Sequence, residues 1–129
     1  MVRSLLTDAA GVLIFVAIGR NNHDEGTAVG GIVKVAAPFL IALLAGWALG
    51  LWLDRGSGPG ASGRGVTGLR FGAVVWIVTL AGGMALRHGV FGRGTATPFV
   101  IVATLFLALV LLGWRLVLVV RSRRRAGRP

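Results

Sequence analysis

At 129 residues, 55% hydrophobic and only 14% charged, the chain has too little polar surface to dissolve as a compact domain. Its mean hydropathy of +0.82 comes in long apolar blocks, the pattern of segments that satisfy their own backbone in lipid. The absence of cysteine excludes disulfides, thiolate metal sites and cysteine nucleophiles, and the formal charge of +10 gathers at segment ends, as membrane topology requires and a nucleic-acid face does not.

These features predict an all-α fold: one polytopic membrane domain of four transmembrane helices. The first span covers about residues 4–19, between Arg3 and Arg20. Asp8 interrupts its apolar run and no A-x-A site follows, so it reads as a retained helix and not as a cleaved signal. A polar turn, AIGRNNHDEG, leads to the second span, about residues 29–53. The stretch DRGSGPGASGRGVTG, residues 54–68, has the Gly/Ser content of a flexible loop. The third span covers about 71–86, GRGTATP forms a turn, and the fourth span covers about 98–120 before the basic tail RSRRRAGRP. Spans one and three, at ~16 residues or ~24 Å, fall short of a ~30 Å hydrocarbon core and predict bilayer thinning or snorkelling arginines.

Ten of the fourteen Lys and Arg residues (3, 55, 64, 70, 115, 121, 123, 124, 125 and 128) fall on one side. Arg20, Lys34, Arg87 and Arg93 fall on the other. This imbalance predicts a bacterial plasma-membrane protein with both termini cytoplasmic. The tail is then a topology anchor against anionic lipid, with nucleic acid the minority reading.

An offset of 67 residues aligns Arg3 with Arg70, Arg20 with Arg87, Phe39-Leu40 with Phe106-Leu107, and Gly46-Trp47 with Gly113-Trp114. The expectation is a parallel repeat of two helical hairpins about an axis along the membrane normal, with a site between the halves.

Two polar groups lie inside spans. Asp8 is five residues beyond Arg3 and Arg115 six before Arg121, depths of ~7.5 and ~9 Å from the same membrane face. An ionised group there costs up to roughly 2.5–3.5 kcal/mol, so a pair between them is one resolution. Separate snorkelling to the headgroups is the other.

At the opposite face lie Arg20, His23, Asp24, Glu25, Lys34, Arg87 and His88. A solvated hairpin is the plain reading. The sharper one is an outer anion site in which Arg20 and Arg87, equivalent in the repeat, bind a carboxylate or phosphate. There Glu25 balances the empty site and His23 titrates near neutral pH. Two histidines far apart make no metal ligand set, no serine lies near His23 to act as a nucleophile, and no cofactor or catalytic set is implied. Trp47, Trp52, Trp76 and Trp114 read mainly as interfacial anchors, with Trp47, Trp76 and Trp114 also candidates for helix packing. Gly46, Gly83 and Gly113, in the Gly-Trp pairs and the Gly-Gly step, read as points of close helix approach.

The segments AIGRNNHDEG, PFLIALLAGW, VVWIVTLAGGMALR, GTATPFVIVAT and LLGWR, with Asp8, resemble the domain-of-unknown-function 3054 family of small membrane proteins over nearly the whole chain. The resemblance carries over Asp8, Gly19, Arg20, His23, Glu25, Gly26, Trp76, Arg87, Gly94, Thr95, Trp114 and Arg115. Asn21-Asn22 and Arg93 depart from the family's pattern and redistribute the outer charge. It implies the fold and the membrane, and brings no activity. Three function classes follow: a small, oligomeric transporter or channel for an anionic or polar solute, an accessory or assembly subunit of an envelope complex, and a membrane enzyme. The partners expected are the lipid bilayer, a second copy or another membrane protein, and a small anion.

Overall fold

The computed structural model describes residues 1–21, 29–56, 65–90, 92 and 97–128, with backbone alone at 20, 21 and 29–31. Its elements are α1 (Val2–Asn21), α2 (Val29–Asp54), α3 (Leu69–Gly89) and α4 (Thr97–Ala126). All four helices are long and apolar enough to cross a membrane, and no strand occurs among the described residues. The chain is thus an all-α, multi-pass membrane protein. In lipid no water can take up a stray N–H, so an apolar block has no alternative to pairing within itself.

The helices run past the apolar blocks. At 20 and 21 residues, α1 and α3 reach ~30 Å, the thickness of the hydrocarbon core. Arg3, Arg20, Arg70 and Arg87 lie inside the helices instead of terminating them. Arginine is a good helix former, so the end of an apolar run does not end a helix.

Side-chain contacts fix the topology. Phe15 meets Phe39, Phe99 and Phe106, which joins the end of α1 to the starts of α2 and α4. Trp47, late in α2, meets Phe71, early in α3. The order is therefore up-down-up-down, and each helix packs on two neighbours in a closed ring α1–α2–α3–α4. The start of α1 and the end of α4 lie at one end, the terminal end; the end of α1, the start of α2, the end of α3 and the start of α4 lie at the other, the hairpin end.

Between these ends runs a buried, largely apolar core. Val12, Phe39, Val75, Leu107 and Leu111 are wholly buried, and the four phenylalanine rings fill the hairpin end at centroid separations of 5.6–6.3 Å. The tightest seam is α2 on α3. A Cβ at Gly46 would stand 3.2 Å from both Cα and O of Val75, and one at Gly83 would enter the Phe39 ring. Small residues let these backbones approach, and dispersion then holds the seam without hydrophobic help from lipid.

Gly113 departs from the expectation. A Cβ there would touch only Leu109 of its own helix, at 3.9 Å, because this side of α4 faces away from its neighbours. Gly83→Ala should accordingly cost about 1–3 kcal/mol by overpacking against the buried Phe39. Gly113→Ala should be neutral within about 0.5 kcal/mol. Unfolding titrations in mixed micelles read the contrast, and equal effects would mean that the seam relaxes.

Candidate functional site

At the terminal end the bundle contains ions. Asp8 on α1 and Arg115 on α4 are both 0% exposed and form a bidentate pair: Nη2 donates to Oδ2 at 2.7 Å and Nη1 to Oδ1 at 2.8 Å. Trp47 Nε1 on α2 donates to Oδ2 and Trp114 Nε1 on α4 to Oδ1, each at 2.9 Å. The carboxylate thus accepts four hydrogen bonds, about its full lone-pair capacity. Arg115 also donates from Nε to the Val66 carbonyl at 2.9 Å and from Nη1 to the Leu111 carbonyl one turn earlier. Its guanidinium lies 4.3 Å from the centroid of the Trp114 ring.

Helix α3 contributes space. Gly72 sits where a Cβ would stand 2.6 Å from Arg115 Cδ, so the missing side chain leaves the slot through which the arginine reaches Asp8. The turn that delivers Val66 closes with Gly68 N–H donating to the Gly65 carbonyl at 2.8 Å. Gly65 has φ +140°, a conformation open to glycine and strained for other residues. All four helices and the turn before α3 converge on one ion pair.

Two opposite charges in a low dielectric are stable only together, and only when their remaining donors and acceptors are met. Here the carboxylate accepts from Arg115 and two indoles, and Arg115 donates from all three of its nitrogens. With its oxygens engaged by donors from α2 and α4, the carboxylate ties three helices together, and the cluster acts as a clamp.

The structure therefore brings Asp8 and Arg115 together, and it sends Trp47 and Trp114 inward to the same carboxylate instead of to the membrane interface. Indole combines a large apolar body with a single donor, which suits it to a polar cluster inside an apolar bundle. Trp52 does face outward, at 64% exposure. Trp76 bridges α3 and α4, donating from Nε1 to the Thr104 carbonyl at 3.2 Å. Of the predicted outer group, the Arg87 guanidinium lies over Phe99, 4.2 Å from the ring centroid. Only the backbone of Arg20 is described, and His23, Asp24 and Glu25 lie outside the described residues. Sequence reasoning missed Val66, Gly72 and the bonds from Trp47 and Trp114 to Asp8. The depth match that paired Asp8 with Arg115 also puts Trp114 beside them, and Trp47 follows the buried register Phe39, Leu43, Trp47.

Trp47→Phe and Trp114→Phe keep the ring but remove one donor each. Each substitution should cost about 1–3 kcal/mol, a buried acceptor left short. Phe at Trp52 should cost nothing measurable, and thermal unfolding of the three variants in one detergent checks the order.

The observations define a class: a four-helix membrane bundle locked by an internal Arg–carboxylate pair. Residues 5–118 match the family model described as "Protein of unknown function (DUF3054)", and the chain belongs to that family. No curated protein and no solved structure matches it. Asp8, Trp47, Val66, Gly72, Trp114 and Arg115 all fall within the matched stretch.

Proposed function

We propose that the protein is an accessory or assembly subunit of a membrane complex, with a rigid bundle as its working part. The observation that carries this reading is the engagement of Asp8 and Arg115 with each other and with Trp47, Trp114, Val66 and Leu111: the two charges inside the spans are committed to holding the helices in register. The outward faces agree with it. Among the described residues, those facing outward in the middle of the spans are apolar, including Leu13, Ile14, Ile41, Leu44, Ile77, Leu105 and Leu109. Such faces suit lipid or the apolar face of another membrane helix. A bacterial plasma membrane with both termini cytoplasmic remains part of the proposal, on the arginine imbalance. So does descent from a duplicated hairpin, since Trp47 and Trp114, equivalent under the 67-residue offset, serve the same carboxylate.

A small oligomeric anion carrier or channel is the second reading. It draws on the Thr79 hydroxyl, which is wholly buried on the inner face of α3 and has no hydrogen-bond partner among the described residues. A polar atom at that position could meet a water or solute if the bundle opened. Arg20, His23, Glu25 and Arg87 would form its outer mouth.

Reconstitution separates the two. The purified chain in sealed vesicles should pass chloride, phosphate and small carboxylates no faster than empty vesicles. Gently solubilised native membranes should yield it in a defined assembly larger than its own oligomer. Saturable anion flux that falls in Arg87→Gln would overturn the accessory reading in favour of transport.

A further inference from the structure

The clamp has an outward neighbour that the proposed function does not use. Beyond the matched stretch, α4 continues to Ala126 and carries its basic residues past the last apolar turn. A cleft of about 660 Å³ opens there between α4 and the turn before α3. Leu118 forms its apolar wall, Arg121, Ser122 and Arg125 its rim, and Thr67 and Gly68 its opposite side. Leu118, Arg121 and Arg125 follow one another at helical spacings of three and four, so they share one face of α4.

The depth of the cleft matters as much as its charge. The outward residues Leu116, Val117, Leu118 and Val120 are apolar, and exposed arginines begin at 121. Arg3 and Arg70 stand at the corresponding ends of α1 and α3. The cleft therefore straddles the boundary between hydrocarbon and headgroups, apolar on one side and doubly cationic on the other. A smaller recess of about 230 Å³ among Arg121, Arg124, Arg125 and Arg128 adjoins it and deepens the positive field. Water-soluble anions match only the upper half of such a surface. A phospholipid matches both.

We propose that this cleft holds an anionic glycerophospholipid, with its phosphate between Arg121 and Arg125 and an acyl chain along Leu118. Arginine suits the role because its fork binds phosphate oxygens in pairs and stays charged. The lipid would also reach the clamp, since Thr67 and Gly68 belong to the turn whose Val66 carbonyl accepts from Arg115. Ordering that turn stabilises the buried pair, so bound lipid raises the stability of the whole bundle.

The full chain in detergent, mixed with equal phosphatidylglycerol and phosphatidylcholine, tests this by native mass spectrometry and thermal unfolding. Phosphatidylglycerol should be retained at least about tenfold more, since each arginine near the headgroups contributes on the order of a factor of five. It should also raise the melting temperature, where phosphatidylcholine does not. Arg121→Gln with Arg125→Gln should abolish both effects. Arg55→Gln with Arg123→Gln removes the same charge from exposed positions that line neither recess, and should preserve them. Equal losses in the two double variants would reduce the effect to diffuse attraction and overturn the site. Stabilisation by inorganic phosphate equal to that by phosphatidylglycerol would overturn the lipid assignment.

Discussion

Asp8→Leu and Arg115→Met should each lower the unfolding free energy by about 3–5 kcal/mol, because either change leaves the other member's ionic hydrogen bonds unmet inside the bundle. Asp8→Leu combined with Arg115→Met should be no worse than either single change, and a double-mutant cycle should give a coupling of at least about 2 kcal/mol. Full recovery is not expected. Trp47 and Trp114 would then carry indole donors with no acceptor, at about 1–3 kcal/mol each. Adding Phe at both positions to the apolar pair should restore most of that remainder. Steric trapping in bicelles measures these differences without full denaturation. Additive losses would mean that the charges act separately, each reaching the headgroups by its own route.

Gly72→Ala should cost about 1–3 kcal/mol, although it adds only a methyl group. That methyl would stand 2.6 Å from Arg115 Cδ, 3.0 Å from Leu112 Cδ2 and 3.2 Å from Arg115 Nε. A flexible side chain would swing aside, but this one is held at its far end by Asp8, Val66 and Leu111. The backbone of α3 or the bidentate geometry must yield. In an Arg115→Met background the same change should be nearly neutral, since thioether and methylenes adapt. An unchanged penalty there would show that Gly72 serves helix approach alone.

The helices were legible because lipid turns hydrophobicity into secondary structure almost without exception, and blocks as apolar as 98–120 admit one reading. The pairing of Asp8 with Arg115 was legible for a similar reason: in a medium that penalises lone charges, equal depth on opposite signs is a strong constraint. Helix ends were read too short because arginine was treated as a boundary. With lengths near 30 Å, α1 and α3 no longer call for a thinned bilayer. Trp47 and Trp114 were read as interface or packing residues, and their bonds to Asp8 were not foreseen, because an indole prefers the interface in general and only the buried carboxylate supplies a better acceptor inside. The role of Gly72 lies in the rotation of α3 against α4, which no spacing within either helix encodes.

The clamp also imposes an order on biosynthesis. Asp8 and its arginine are separated by 107 residues. At ribosomal rates that separation corresponds to roughly 5–20 s during which the first helix exists without the last. Through that interval the carboxylate has no guanidinium to meet it, so α1 must stay near water or near the insertion machinery. Only when α4 arrives does α1 gain a reason to remain at its final depth. The bundle is thus sealed by its last segment, and chains ending before Trp114 should expose an unpaired acid in lipid, which marks them as incomplete to membrane quality control.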